Sequence, residues 1–253
     1  QVPLWEKGDE HVLYKSTDNG KTWNKKLGDD EWVGVTDIVM DPRDPDRYAL
    51  MVGAMGFAGW LGNSAPEFAA AASEHTTPLL LGGGVGIPPM VFLADHLRRD
   101  PHWKPLVLMG SEVPFPFDAR PSAIMVPGLP PGVIGAMPLL EDWGIPSRLA
   151  SLQGYAGCLQ GYVTDLARHW LDGLDDTQRA EVGIYACGPH PMLEAVVNLA
   201  RDYGLPAQVS LEEFMACAVG GCAGCVVEVT TPDGPVMKRV CVDGPVFDGY
   251  TVF

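Results

Sequence analysis

The sequence has few basic residues. Seventeen Lys and Arg stand against 32 Asp and Glu in 253 residues, which gives a formal net charge of −15. Nucleic acids and anionic membranes are bound through basic surfaces, so we expect neither as a partner. No run of about 20 apolar residues is present, which predicts that no helix spans a membrane. With 47% hydrophobic and 19% charged residues, the composition is that of a globular protein with room for two domains.

Histidine is also scarce, and its six positions show no metal-ligand spacing. Cysteine does show such a spacing, because Cys217, Cys222, Cys225 and Cys241 follow the pattern C-x4-C-x2-C-x15-C. The small residues between the first three let a loop wrap closely and direct backbone N–H groups toward sulfur. The pattern predicts a [2Fe–2S] cluster held by four thiolates. A structural zinc ion remains an alternative, although the second C-x2-C pair of zinc sites is missing, and disulfides or free thiols are another.

Residues 1–50 differ in composition from the rest of the chain. Two candidate strands, 11–15 and 22–26, flank a polar turn that contains Asp18, Asn19 and Gly20, which predicts a β-hairpin. The octet 16–23 has the form S-x-D-x-G-x-T-W and resembles the Asp-box of sortilin-like and xyloglucanase-like β-propellers. One such unit has no neighbours to bury its face, so we interpret the segment as appended or chimeric. An accidental hairpin is the alternative.

Beyond residue 50, predicted strands alternate with predicted helices, which is typical of an α/β fold with a parallel sheet. We expect strands at 78–81, 106–109, 123–126, 183–186 and 207–210. We expect helices at 67–73, after the glycines that follow the first of these strands, and at 139–143, 162–171 and 191–203.

Two loops connect predicted strands to predicted helices. Residues 82–88 read G-G-G-V-G-I-P, and glycines at such a position allow a pyrophosphate to approach the backbone near a helix N-terminus. This is not the G-x-G-x-x-G fingerprint, and a simple tight turn is the alternative. The second loop is Cys187-Gly188-Pro189, whose thiol is placed to face a nicotinamide ring. Both loops are expected at one carboxyl edge of the sheet, where ligands bind in such folds.

Glu112 follows the second predicted strand, where a side chain can approach the adenosine ribose. A carboxylate accepts hydrogen bonds from a ribose 2′-OH and repels a 2′-phosphate, which favours NAD over NADP. The alternative is an ordinary solvated acid in a loop.

The two loops together resemble the NAD(P)-binding domain of the ferredoxin-reductase family. Two further segments restrict the resemblance to one subfamily. Residues 210–217 (S-L-E-E-F-M-A-C) and 239–247 (R-V-C-V-D-G-P-V-F) are similar to the corresponding parts of the electron-transfer subunit of NAD-dependent dihydroorotate dehydrogenase. The resemblance covers about residues 53–253. It makes the four cysteines the cluster ligands and assigns no catalytic residue. The nucleotide contacts that it implies, with Glu112 added, are Gly82, Gly83, Gly84, Gly86, Ile87, Pro88, Glu112, Cys187, Gly188 and Pro189.

The resemblance also implies a function. The chain would be an oxidoreductase component that relays electrons between NAD(H), FAD and a [2Fe–2S] cluster in the cytoplasm. Its partner would be an FMN-containing dihydroorotate dehydrogenase catalytic subunit of pyrimidine biosynthesis, in a hetero-oligomer. Related subunits of NAD(P)H–ferredoxin or sulfide oxidoreductases are the alternative. A further alternative is an Asp-box glycosidase or propeller fragment fused to such a subunit, or a chimera of two genes.

Two features depart from that family. Phe214 stands where the family usually has Arg, and the Arg-x-[Tyr/Phe]-Ser flavin motif is not found, since Arg47-Tyr48-Ala49-Leu50 does not match it. We therefore expect four segments: an Asp-box-like β segment (1–50), the remnant of a flavin domain and a linker (51–78), an NAD-binding domain (79–206) and a small C-terminal [2Fe–2S] domain (207–253).

Overall fold

The computed structural model describes residues 13–15, 22, 24–27, 35–41, 44–52, 75–218 and 220–253. The chain divides into two compact units, residues 1–63 and 64–253. None of the helices in the described ranges combines the length and the apolar character that crossing a bilayer requires.

The first unit contains two antiparallel strand pairs in its described part. Strand β1 (Leu13–Lys15) pairs with β2 (Asn24–Leu27), which confirms the predicted hairpin. Strand β3 (Val35–Asp41) pairs with β4 (Asp44–Val52).

The second unit carries the remaining described elements. Its strands are β5 (Thr77–Gly83), β6 (Leu106–Gly110), β7 (Arg120–Pro121), β8 (Gly135–Ala136), β9 (Ser147–Ala150), β10 (Val182–Cys187), β11 (Ala207–Ser210), β12 (Val226–Thr231), β13 (Gly234–Arg239) and β14 (Val246–Asp248). Its α-helices are α1 (Ile87–Leu97), α2 (Pro138–Asp142), α3 (Val163–Asp172), α4 (Asp176–Ala180), α5 (His190–Tyr203), α6 (Val240–Asp243) and α7 (Gly249–Val252).

A six-stranded sheet organises this unit, with the strand order β14-β11-β10-β5-β6-β9. Every pairing is parallel except that of β14 with β11. The central strands are apolar along most of their length because both of their faces are covered. The predicted α/β class with a parallel sheet is confirmed.

Helices cover both faces of the sheet. On one face, α1 presents buried residues at helical spacing, among them Met90, Leu93 and Leu97, to Leu80 of β5. Neighbouring side chains along a strand point to opposite faces, so Leu79 and Leu81 project to the other side. There α3 contacts β6 and α5 contacts β10. The expected strands and helices of this part are confirmed, apart from the strand at 123–126 and the helix at 67–73, which lies outside the described residues.

The strand predicted at 123–126 is wrong. Its backbone groups bond to side chains rather than to another strand: Ala123 N–H donates to Glu141 Oε1 (2.7 Å), and Ile124 C=O accepts from Arg148 Nη2 (2.7 Å). The parallel strand on that side of β6 is β9, which the sequence analysis missed. Two of the four residues of β9, Ser147 and Arg148, are polar, so the sequence lacks the apolar run that is typical of a buried strand.

The predicted boundary between the nucleotide and cluster domains remains a prediction. Strand β11, at the start of the predicted cluster domain, continues the sheet by pairing with β10. The chain then leaves the sheet, forms the β12–β13 hairpin, and returns through β14 to the other side of β11.

Arg148 provides a test of how the loop before α2 is held. It is 4% exposed, and besides Ile124 C=O its guanidinium donates to Val133 C=O (3.1 Å) and Ser147 C=O (2.6 Å). Burial lowers the pKa of Arg148, and the charge of Glu141 partly offsets this. We expect Arg148→Met to lower the free energy of unfolding by about 2–4 kcal/mol, because buried carbonyls lose their donors. Urea denaturation followed by circular dichroism measures this.

Arg168→Met is the matched control. Arg168 bonds to Asp202 (2.7 Å) on the surface, where both side chains are about half exposed. Exposed pairs contribute less than about 1 kcal/mol, so this variant should be nearly as stable as the wild type. Equal losses in the two variants would show that burial of the Arg148 guanidinium does not stabilise the loop.

Candidate functional site

The two predicted loops flank the point where the strand order of the sheet reverses. From β5 the chain builds outward through β6 to β9, and then returns to place β10 on the other side of β5. Ligands of open α/β sheets bind in the crevice at the carboxyl ends of the two strands at such a point. Gly82 pairs with Cys187 across β5 and β10, so the glycine loop and the Cys-Gly-Pro loop leave the sheet side by side.

The glycine loop makes a single 3₁₀ turn, Gly84–Gly86, before α1 begins at Ile87. Gly84 has a φ of +53°, a conformation that glycine adopts without strain. Few N–H groups remain at the start of α1, since Pro88 and Pro89 have none and the N–H of Ile87 bonds to Gly84 C=O. A phosphate at this turn would depend on the helix dipole and on the preceding backbone, which favours weak binding.

Glycine is required where the two loops meet. A Cβ on Gly86 would lie 1.9 Å from the carbonyl oxygen of Cys187, and one on Gly188 would lie 3.2 Å from the backbone nitrogen of Gly83. The thioether of Met192 reaches the same place, because a Cβ on Gly83 would lie 2.3 Å from its Sδ. Met192 is not predicted from the sequence, because its only local signal is its position in the first turn of α5.

The Cys187 side chain lies under the loops rather than on their surface. It is 1% exposed, and burial raises the pKa of its thiol to about 12, which the charge of Glu212 increases and Ser210 decreases. The thiol therefore stays protonated near neutral pH and is not a nucleophile. Ser210 is fully buried opposite Cys187, and its Oγ makes no hydrogen bond of normal geometry to a described group.

A cavity of about 200 Å³ lies between the Cys-Gly-Pro loop and the segment that leads to the cysteines. It is lined by Gly188, Pro189, His190, Glu212, Glu213 and Phe214. Partial burial raises the pKa of Glu212, and the charge of Glu213 raises it further. Phe214 is 94% exposed, which is unusual for an aromatic side chain. His190, Glu212 and Glu213 were not predicted as site residues, although two acids directly after a strand are a visible signal.

Glu112 lies two residues beyond the end of β6 and is exposed. Since β6 pairs with β5 on the side away from β10, this carboxylate is at the same edge of the sheet as the glycine loop, one strand further along. Its predicted role at a ribose remains a prediction.

The first three cysteines of the C-x4-C-x2-C run lie in a loop that directs N–H groups to their sulfur atoms. The N–H of Cys222 points to Cys217 Sγ (3.4 Å between N and S), and that of Gly224 points to Cys222 Sγ (3.3 Å). Ala218 and Ala223 both have a φ of +54°, which makes these tight turns. Such bonds stabilise negative charge on thiolate ligands. The donor set suits an iron–sulfur cluster.

Cys241 reaches this loop from the end of the β12–β13 hairpin. Its N–H points to Cys225 Sγ (3.4 Å), and the N–H of Val240 donates to Cys225 C=O (2.9 Å). Burial raises the pKa of Cys241, and the nearby Cys225 and Cys217 raise it further, whereas a backbone hydrogen bond from Gly220 lowers it. Cys225 and Cys217 are thus close enough to Cys241 to act on its thiol.

The alternatives to a cluster gain no support. No disulfide joins Cys217, Cys222, Cys225 or Cys241 in the part of the chain that the structure describes. Within the described ranges no three His, Cys, Asp or Glu side chains converge at the spacing of a site for one metal ion.

Comparison with known proteins agrees with this arrangement. Residues 212–253 match the iron–sulfur cluster binding domain of dihydroorotate dehydrogenase B. The electron transfer subunit of dihydroorotate dehydrogenase B (NAD(+)) from Caldanaerobacter subterraneus is 31% identical over 69% of this chain and 58% of its own length. That of a Geobacillus species is 32% identical over 75% of this chain and 61% of its own length. The chain thus spans somewhat more than half the length of these relatives.

A solved structure of the NADH-dependent reduced ferredoxin–NADP oxidoreductase matches 71% of this chain and 55% of its own, with a TM-score of 0.53 and 24% identity. This likeness shows the ferredoxin-reductase-like fold. The relatives and the structure lend no support to the Asp-box propeller interpretation of residues 1–50.

The close approach of Gly86 to Cys187 generates a stability prediction. In Gly86→Ala the new methyl group meets a backbone carbonyl that has no room to move, and we expect a loss of about 1–3 kcal/mol in the free energy of unfolding. Gly221→Ala is the control, because a Cβ there meets no atom within 4 Å. Urea denaturation of both variants tests the contact. A Gly86→Ala protein as stable as Gly221→Ala would mean that the loops are not packed against each other.

Proposed function

We propose that this chain is an electron-transfer component between NAD(H) and a [2Fe–2S] cluster. Residues 212–253, which match the iron–sulfur cluster binding domain of dihydroorotate dehydrogenase B, support this proposal. The observation that carries the proposal is the cysteine loop, where thiols accept backbone N–H groups and Cys241 joins them from a separate hairpin. The relatives named as electron transfer subunits support it.

Cys217, Cys222, Cys225 and Cys241 would hold the cluster. A bound [2Fe–2S] cluster accepts one electron at a time, whereas a nicotinamide gives up two as a hydride, so a flavin is expected between them. The chain's own contribution is to fix the sulfur atoms by backbone N–H groups and to leave Cys222 exposed, where a partner can approach.

The nucleotide would bind at the reversal point of the sheet. Gly82, Gly83, Gly84 and Gly86 would allow the diphosphate to approach the backbone, with Ile87 and Pro88 at the start of α1. The backbone of Cys187, Gly188 and Pro189 would border the nicotinamide, and the adjacent cavity leads from there toward the cysteine loop. Because the Cys187 thiol is buried and protonated, we assign it a packing role in this arrangement.

The electron acceptor that we propose is a dihydroorotate dehydrogenase catalytic subunit containing FMN, bound in a hetero-oligomer in the cytoplasm. The names of the relatives support the choice of complex. Thiolate ligands also require a reducing compartment, as the cytoplasm provides.

Metal analysis tests the cluster. Protein purified or reconstituted without oxygen should contain about two irons and two acid-labile sulfides per chain and show the absorption and EPR signals of a [2Fe–2S] centre. Replacement of any one of the four cysteines by Ser should lower the cluster content at least fivefold. Cys158→Ser is the matched control, since that thiol lies in the core contacts of the sheet. One bound zinc per chain without sulfide would contradict the proposal.

Calorimetric titration tests the nucleotide site. We expect weak binding of NADH and weaker binding of NADPH, because the Glu112 carboxylate would accept a bond from the ribose 2′-OH and repel a 2′-phosphate. Glu112→Ala should weaken NADH binding about threefold to tenfold, which corresponds to one net hydrogen bond. Asp118→Ala, an exposed acid further along the same loop, should leave the affinity unchanged. Tighter binding of NADPH than of NADH would rule out this role for Glu112.

A further inference from the structure

We propose that Arg239 is the positioning residue of the cluster loop, and that it favours reduction of the cluster by holding a positive charge and the Gly220 backbone against the cysteines. This inference rests on the proposed [2Fe–2S] function. It concerns a residue outside the four ligands, one that comes two positions before Cys241 in the sequence.

The contacts of Arg239 join the two segments that carry the cysteines. Its Nη1 donates to Gly220 C=O (3.0 Å), which lies in the loop of the first three cysteines. Its Nε donates to Asp243 Oδ2 (3.2 Å), and its backbone N–H donates to the same oxygen (2.8 Å). Asp243 ends α6, the short helix that contains Cys241. The guanidinium therefore links the cysteine loop to the helix of the fourth cysteine.

Gly220 is the residue of the cysteine loop that receives this contact. Its φ is +79°, and a Cβ would lie 2.9 Å from Val242 Cγ2 and 3.1 Å from Arg239 Nη1, so only glycine fits. Its carbonyl accepts from Arg239 Nη1, so the contact fastens the cysteine loop at a position where a side chain has no room.

The charge of Arg239 acts on a loop that has none of its own. No Asp, Glu, Lys or Arg occurs from Phe214 to Val227. Reduction adds one negative charge to a cluster, and a nearby positive charge or N–H group favours the reduced form. Arg239 supplies the positive charge, and its bond to Gly220 C=O holds that charge at the cysteine loop.

Redox titration followed by EPR tests the proposal on the cluster-loaded chain. Arg239→Gln should lower the equilibrium constant for cluster reduction about tenfold, which is about 59 mV in the midpoint potential of a one-electron couple. Arg239→Lys keeps the charge but has no planar fork. Its midpoint potential should therefore be close to that of the wild type, whereas a chelator should remove its cluster faster than that of the wild type. Lys238→Gln, which removes one charge from the same strand, should change the equilibrium constant less than twofold.

The outcomes separate the two proposals. If wild type and variants hold iron and sulfide but Arg239→Gln has an unchanged potential, the role of Arg239 is refuted and the proposed function stands. If the wild type itself holds no cluster, the proposed function fails. Should Arg239→Gln not fold, Asp243→Asn keeps the guanidinium but removes its anchor and one negative charge. It should speed loss of the cluster to a chelator, and an unchanged loss rate would equally refute the proposal.

Discussion

The contact between the turn after β5 and the peptide after β10 is the constraint on which the site depends. A methyl group on Gly86 would overlap the Cys187 carbonyl, so the two strands at the reversal point of the sheet end in loops that touch. The next strand of the sheet ends at the same level, because Cys187 of β10 pairs with Ser210 at the end of β11. Only six residues separate Ser210 from Cys217. The nucleotide edge and the cysteine loop are therefore successive parts of one sheet edge.

The return of the chain to the sheet fixes the cysteine segment at both of its ends. Leu211 N–H, where the segment departs, donates to Pro245 C=O (3.0 Å), where it comes back. Val209 then pairs with Phe247 as β14 adds to the edge of β11. Inside the segment, Val240 and Cys241 bond to the backbone and sulfur of Cys225. The four cysteines thus depend on the parallel sheet for their mutual positions, and damage to β11 should disturb the cluster as well as the nucleotide edge.

Local patterns in the sequence were sufficient for part of this arrangement. The glycines after β5 and the C-x4-C-x2-C run are contiguous, and each predicts its own turn without knowledge of the rest. Ser210, Met192 and Arg239 could not be found in that way, because strand register and long-range packing bring them to the site. The false strand at 123–126 has the same origin. Its apolar residues resemble a strand, but Glu141 and Arg148, remote in sequence, satisfy its backbone.

One guanidinium has a large effect at the cysteine loop because the rest of the molecule is strongly acidic. With a net charge of −15, most charges around any site are negative, and Glu212, Glu213 and Glu228 are the acids closest in sequence to the uncharged loop. Exposed charges act over about 8 Å at physiological ionic strength, so only groups near the loop affect its electrostatic potential. A lysine would keep the charge but has no planar fork to bond both groups at once. Arg239 is held between Gly220 C=O and Asp243, so its charge keeps a fixed position at the cysteine loop.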